Sequence, residues 1–251
     1  MVDRYFSDEP ISADHVTLAG PEAHHLIHVM RAAPGMQVTL FDGGGDEFTA
    51  TIVRVGRSDV ELSILARERV NRELPLDLTL GVALPKGDRQ KWLVEKAVEL
   101  GVARIVPLRT RRGVAQPVEQ VLARLRRAVI EASKQCGRNR LLRIDSPQSW
   151  PDFVTGAAGA ACRLLAHPGG ETASAIVLPA HSLPSGCKGE PILCKMVFLA
   201  VGPEGGFDDE EVALAVAASW RPVDLGPRIL RVETAAILLT AITAWQVSSV
   251  W

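Results

Sequence analysis

The chain lacks paired cysteines. Cys136, Cys162, Cys187 and Cys194 show no C-x-x-C spacing, so neither a zinc ribbon nor a thioredoxin-type redox site is supported. Free buried thiols are the expected state, with a Cys187–Cys194 disulfide as the alternative. An apolar core behind a basic start is also missing from residues 1–10, so no signal peptide is expected. The most apolar stretch, residues 235–251, carries Gln246 and hydroxyl residues and falls short of the roughly 20 residues that span a bilayer. It reads as a buried soluble helix, and a cytoplasmic protein without a membrane partner is expected. Asp42-Gly43-Gly44-Gly45 has neither the lysine nor the following helix of a phosphate loop, which leaves a hairpin turn as its reading. The composition, 47% hydrophobic and 23% charged over 251 residues, excludes disorder and collagen-like folds and suits one large domain or two modest ones.

Charge is present but unevenly placed. The net charge is only −1, yet residues 104–143 hold eleven basic residues against Glu119 and Glu131 alone. A solvated helix face explains a cluster of three or four cations. An arginine-rich run this long and this poor in acids points instead to a polyanion, because the planar guanidinium fork matches phosphate oxygens.

The organisation changes near residue 72. Residues 36–41, 47–55 and 59–65 alternate as strands do, with Asp42 to Asp46 turning between the first two, and predict a small antiparallel barrel. After Pro75 the pattern becomes strand (76–84), helix (89–100, closed by Gly101), strand (102–108) and helix (117–136). Such alternation predicts an α/β domain with a parallel sheet. Residues 168–191, rich in Gly, Pro, Ser and Ala, read as an exposed loop or insertion with the position of a lid.

Two late segments carry the strongest chemical signal. The apolar run 196–201 leads into Gly202-Pro203-Glu204-Gly205-Gly206-Phe207, after which Asp208 and Glu211 have the spacing of a capping box before a helical run over 212–219. The plan repeats at 223–235: a short strand, a turn at Gly226-Pro227, and Thr234 placed to cap a helix from Ala235, with Arg228, Arg231 and Glu233 between them. Glycines leave backbone groups open to a ligand because no Cβ stands in the way.

These two segments resemble the signature loops of the RsmE family within the SPOUT superfamily of RNA methyltransferases. The resemblance extends to Lys86-Gly87-Asp88-Arg89, to residues 92–102 and to Glu131 through Arg138, so it spans nearly the whole chain. It implies S-adenosylmethionine as cofactor, N3 of a uridine in 16S ribosomal RNA of the small subunit as target, a homodimer, and a deep trefoil knot. It further implies a PUA-like RNA-binding domain over 1–72 and a SPOUT methyltransferase domain over 73–251. The chain departs from the family pattern chiefly in the long 168–191 segment. Another SPOUT activity, on a ribose 2′-hydroxyl or a different base, and a non-catalytic RNA-binding assembly factor are the alternatives.

Carried onto this chain, the resemblance implies cofactor contacts at Leu165, His167, Leu199, Gly202, Pro203, Glu204, Gly205, Gly206, Leu225, Gly226, Ile229 and Leu230. RNA contacts are expected at Arg4, His25, Arg31, Lys86, Arg89, Arg109, Arg111, Arg112, Lys134 and Arg138. His24 and His28, at i and i+4, have no acidic or cysteine ligand at a suggestive spacing, so no metal is expected, and the histidines pack or touch RNA. Uridine N3 must lose its proton before it attacks an electrophilic methyl group. Glu233 is the candidate to accept it, with Arg231 and then Arg228 to stabilise the anion by charge-assisted hydrogen bonds. The competing reading makes Arg231 and Glu233 a strand-alternating pair that ties the loop to its neighbours.

Overall fold

The computed structural model describes residues 3–113, 119–175 and 196–248. The chain divides into two compact units, Met1–Glu73 with Ile130–Leu141, and Leu74–Val129 with Leu142–Trp251.

The first unit is built on β1 (Arg4–Phe6), β2 (His15–Ala19), β3 (Gln37–Phe41), β4 (Glu47–Val55) and β5 (Asp59–Glu68), in the order β1-β3-β4-β5-β2. Period-2 alternation sends Phe48, Ala50 and Ile52 of β4 and Val60 and Leu62 of β5 into one core with Tyr5, Leu18 and Leu26. Asp42 shapes the turn between β3 and β4 by accepting the Gly44 N–H at 2.9 Å, while Gly43 and Gly45 take positive φ. The sheet is not wholly antiparallel, because β1 runs parallel to β3. Strands β1 and β2 escape sequence reading for a physical reason: one has three residues, and the other is an edge strand burying only Leu18.

Between β2 and β3 lie α1 (Gly20–His24) and a π-helical turn, His25–Val29. The rings of His24 and His28 lie against each other, tilted by 49°, with centroids 4.5 Å apart. Among the described residues no three His, Cys, Asp or Glu side chains gather as a metal site would require.

The second unit carries β6 (Asp77–Val82), α2 (Arg89–Glu99), β7 (Arg104–Arg109), α3 (Glu119–Cys136), whose last turns belong to the first unit, β8 (Arg143–Ile144), β9 (Gln148–Ser149) and α4 (Trp150–Gly156). It continues with β10 (Cys162–Thr172), β11 (Met196–Val201), α5 (Asp209–Ala217), β12 (Arg221–Asp224) and α6 (Val232–Ser248). Every pairing is parallel, in the order β12-β10-β11-β6-β7-β8, with β9 on β7. The near-continuous burial of β6 and β11 is that of strands covered on both faces. Gly101, at φ +82°, lies just beyond the α2 C-terminus.

Two expectations change here. Residues 168–172 are not loop, because β10 continues through them to Thr172 after a register shift between Ala166 and Glu171. Residues 176–191 of that segment, the helix start at Pro117, Cys187 and Cys194 lie outside the described residues. Helix α6 is not wholly buried: it packs on β11, β6, β10 and α2 but leaves Leu238 36% and Trp245 77% exposed. No described helix is long and apolar enough to cross a membrane.

Candidate functional site

The C-terminal ends of β11 and β12 and the register shift of β10 open into a cleft of about 410 Å³, walled by residues 166–168, 201–206 and 223–230 with Val232 and Ala235. Ligands bind at this edge of parallel sheets, where strand ends leave room between successive loops. Three segments distant in sequence meet because their strands are neighbours.

The first wall is rigid. Asp208 accepts the Glu211 N–H at 2.8 Å and Glu211 accepts the Asp208 N–H at 3.0 Å, a complete capping box for α5. The Glu211 N–H holds the Asp208 carboxyl below the usual carboxylate range, against the effect of burial and with help from Arg111. Phe207, 3% exposed, stacks on Trp150 with centroids 4.4 Å apart. A Cβ at Gly202 would come within 2.9 Å of the Phe207 ring, so a residue without a side chain is required there. The Gly205 carbonyl accepts from Arg112 at 2.8 Å, while Arg111 donates its N–H to Glu211 at 2.9 Å and its guanidinium to Asp208 at 3.1 Å.

The second wall is open. Asp224 accepts the Gly226 N–H at 2.8 Å and the Gly169 N–H at 3.1 Å. Those two bonds lower its pKa, burial opposes them, and His167 lowers it further. Gly226 sits at φ +111°, Arg228 is exposed, and Ile229 is 101% exposed. At Gly206 and Gly226 an added Cβ would meet no protein atom within 4 Å, so space in front of both backbones is free for a ligand. Helix α6 begins at Val232, its first bond running from the Ala235 N–H to the Arg231 carbonyl. Thr234 therefore lies inside the helix and does not cap it, and Glu233 occupies the first turn, where the helix dipole favours an anion.

Arg231 and Glu233 do not form the alternating strand pair considered from sequence. Glu233, with a side chain 9% exposed, accepts from Arg89 at 3.3 Å and 3.5 Å, and the same guanidinium reaches Glu204 at 3.4 Å. Arg89 thus bridges the two walls, and its part was invisible because Glu233 lies 144 residues away. Arg231 is exposed.

Residues 72–244 match the family described as RNA methyltransferase domain, and residues 18–65 match RNA methyltransferase PUA domain. The chain belongs to the RNA methyltransferase family. Within it, the chain is similar to ribosomal RNA small subunit methyltransferase E of Synechocystis, 33% identical over 93% of this chain and 74% of that one. Similarity also extends to the Mycobacterium tuberculosis protein of that name, at 31% identity over 92% of this chain and 87% of the relative. The Neisseria gonorrhoeae ribosomal RNA small subunit methyltransferase E, solved with S-adenosyl methionine, superimposes with a TM-score of 0.84 at 30% identity, covering 100% of this chain and 98% of that one. The α/β parallel sheet and the separate PUA-like curled sheet are thus those of this methyltransferase family.

Against this methyltransferase fold the expected cofactor residues divide. His167, Gly202 to Gly206, Leu225, Gly226, Ile229 and Leu230 line the cleft. Leu165 and Leu199 are fully buried in the sheet, where they support the strands and do not reach the cleft. Asp224, which sequence reading passed over, lines it; its only sequence signal is an Asp two residues before a turn glycine.

The expected RNA contacts divide as well. Arg4 is 13% exposed and engaged with Glu47 at 2.9 Å and Asn139 at 2.5 Å. Hydrogen bonds from Arg72 and Arg4 outweigh burial and keep the Glu47 carboxyl below its usual range. Lys134 pairs with Glu22 at 3.0 Å, both largely buried, and lies 5.7 Å from the Tyr5 ring; burial, then Asp3 and Glu22, push the Tyr5 hydroxyl up to about 12. Arg138, 4% exposed, pairs with Glu73 at 2.5 Å. His25 is half-buried beside Tyr5. Arg31, Lys86, Arg109, Arg111 and Arg112 are exposed, as are Arg124 and Arg127 on α3. The basic run is therefore divided: Lys134 and Arg138 are internal ion pairs, whereas Arg109, Arg111, Arg112, Arg124, Arg126, Arg127, Arg140 and Arg143 are exposed.

Proposed function

We propose that this protein methylates N3 of a uridine in 16S ribosomal RNA of the small subunit, with S-adenosylmethionine as methyl donor. The observation that carries the reading is the cleft, in which a glycine-lined backbone wall and an apolar wall meet beside Glu233. Its size is that of a pocket for a nucleoside-sized ligand, and the open space before Gly206 and Gly226 fits a close backbone approach. Gly202 to Gly206, His167, Leu225, Ile229 and Leu230 would hold the cofactor, which supplies an electrophilic methyl group on a sulfonium. Glu233 accepts the N3 proton directly or through water, and the exposed Arg231 stabilises the uridine anion, with Arg228 as second donor. Arg89 holds Glu233 in place.

Residues 1–72 act as a PUA-like RNA-docking domain and 73–251 as the methyltransferase domain. Exposed Lys86, Arg109, Arg111 and Arg112 meet RNA phosphates, and Arg124 and Arg127 are added to them. A homodimer is supported by Trp92 (44% exposed) on α2, which packs against α6, and by Leu238 and Trp245 on α6, apolar surface that a second copy would cover. The insertion of β11 between β10 and β6 supports a trefoil knot, and the working compartment is the cytoplasm.

The test is transfer of a labelled methyl group from S-adenosylmethionine to small ribosomal subunits from cells lacking the activity, with nucleosides identified by mass spectrometry. The expected product is 3-methyluridine. Label on a ribose or another base would point to a different SPOUT activity. Tight, salt-sensitive RNA binding without transfer would point to an assembly factor.

A further inference from the structure

The cleft is lined by two carboxylates, Glu204 and Asp224, and they differ in availability. Glu204 faces Arg89 at 3.4 Å. Asp224 has no cationic partner within ion-pair distance among the described residues, and both of its oxygens are held by backbone, Oδ1 by Gly226 at 2.8 Å and Oδ2 by Gly169 at 3.1 Å. One bond comes from the turn that follows Asp224 and the other from β10, so the carboxylate is fixed in direction as well as place. Each oxygen keeps a second lone pair for a ligand. The same N–H groups, against burial and with help from His167, hold its pKa below the ordinary Asp value.

We infer that Asp224 makes the cleft selective for the charge of its ligand, favouring a sulfonium over the neutral thioether left after transfer. This inference rests on the reading that the cleft takes S-adenosylmethionine. In the reaction the S–CH3 bond breaks with its electron pair staying on sulfur, the N3–CH3 bond forms, and the N3 proton goes to the base. The ligand thereby loses its sulfonium charge while the carboxylate keeps its own. The Coulomb attraction that helped hold the donor disappears, and the product is released in preference to the substrate.

The measurement is calorimetric affinity of the full chain for S-adenosylmethionine and for S-adenosylhomocysteine, with wild type and Asp224→Asn compared and thermal melts run alongside. The variant is expected to lose about threefold to tenfold of its preference for the sulfonium, with the affinity for the thioether within about twofold of wild type. Equal losses for both ligands would make Asp224 a loop anchor only and overturn the inference, as would an unchanged preference. Wild type supplies a second measurement if the variant fails to fold: its preference should shrink as salt rises from about 0.05 to 0.5 M, and a salt-independent preference overturns the inference. Failure of wild type to bind either ligand would instead remove the cofactor reading beneath it.

Discussion

The two strand-to-helix segments that form the cleft follow one sequence plan and are held by different means. Residues 202–211 are fixed at both ends and in the middle, by the reciprocal Asp208–Glu211 cap, by Phe207 on Trp150, and by Arg112 on the Gly205 carbonyl. Residues 224–235 are fixed only at their ends, by Asp224 on Gly226 and by the first turn of α6, and Ile229 between them has no cover. The first wall is preformed by its own packing, while the second reserves apolar surface for what binds. Arg89, touching Glu204 in one and Glu233 in the other, is the direct link between them.

Five substitutions or conditions break or sharpen this contrast. Phe207→Ala should cost about 3–4 kcal/mol in unfolding free energy, because the ring fills the aromatic cluster of Trp150, Phe153 and Trp220; chemical denaturation measures it. Arg89→Ala should cost about 2 kcal/mol, since Glu233 is left almost buried without its partner and Arg89 is itself only partly exposed; its cofactor affinity should fall with it. Gly226→Ala should cost about 1–2 kcal/mol for a side chain at positive φ, although space for the methyl exists, and a melt of the unliganded protein reads it.

Ile229→Ala should leave stability within about 0.5 kcal/mol of wild type yet weaken S-adenosylmethionine binding, the reverse of Phe207→Ala. A stability loss at Ile229 as large as that at Phe207 would end the distinction between the walls. The smallest effect is that of acid. Asp208 and Asp224 have lowered pKa values in the folded state, so their contribution is full above the ordinary Asp value of about 4 and is lost as pH falls through the lowered folded value. Melting temperature followed from about pH 6 to pH 3 should decline less in Asp208→Asn than in wild type.

Sequence periodicity located β6, α2, β7 and the bulk of α3 because helical and strand patterns are local, and the Asp208–Glu211 box was legible because both partners lie within one turn. The Asp42 hairpin was legible for the same reason. The charge run was legible only as a total. Which cations remain free depends on Glu22 and Glu73, which lie 112 and 65 residues from the bases they neutralise. Residue order set the two loops and the chemistry they carry. That they face each other, with Arg89 across them and Asp224 in the cleft wall, follows from parallel pairing of β10 with β11 and β12, since strands adjacent in a sheet bring together residues that no spacing in the chain relates.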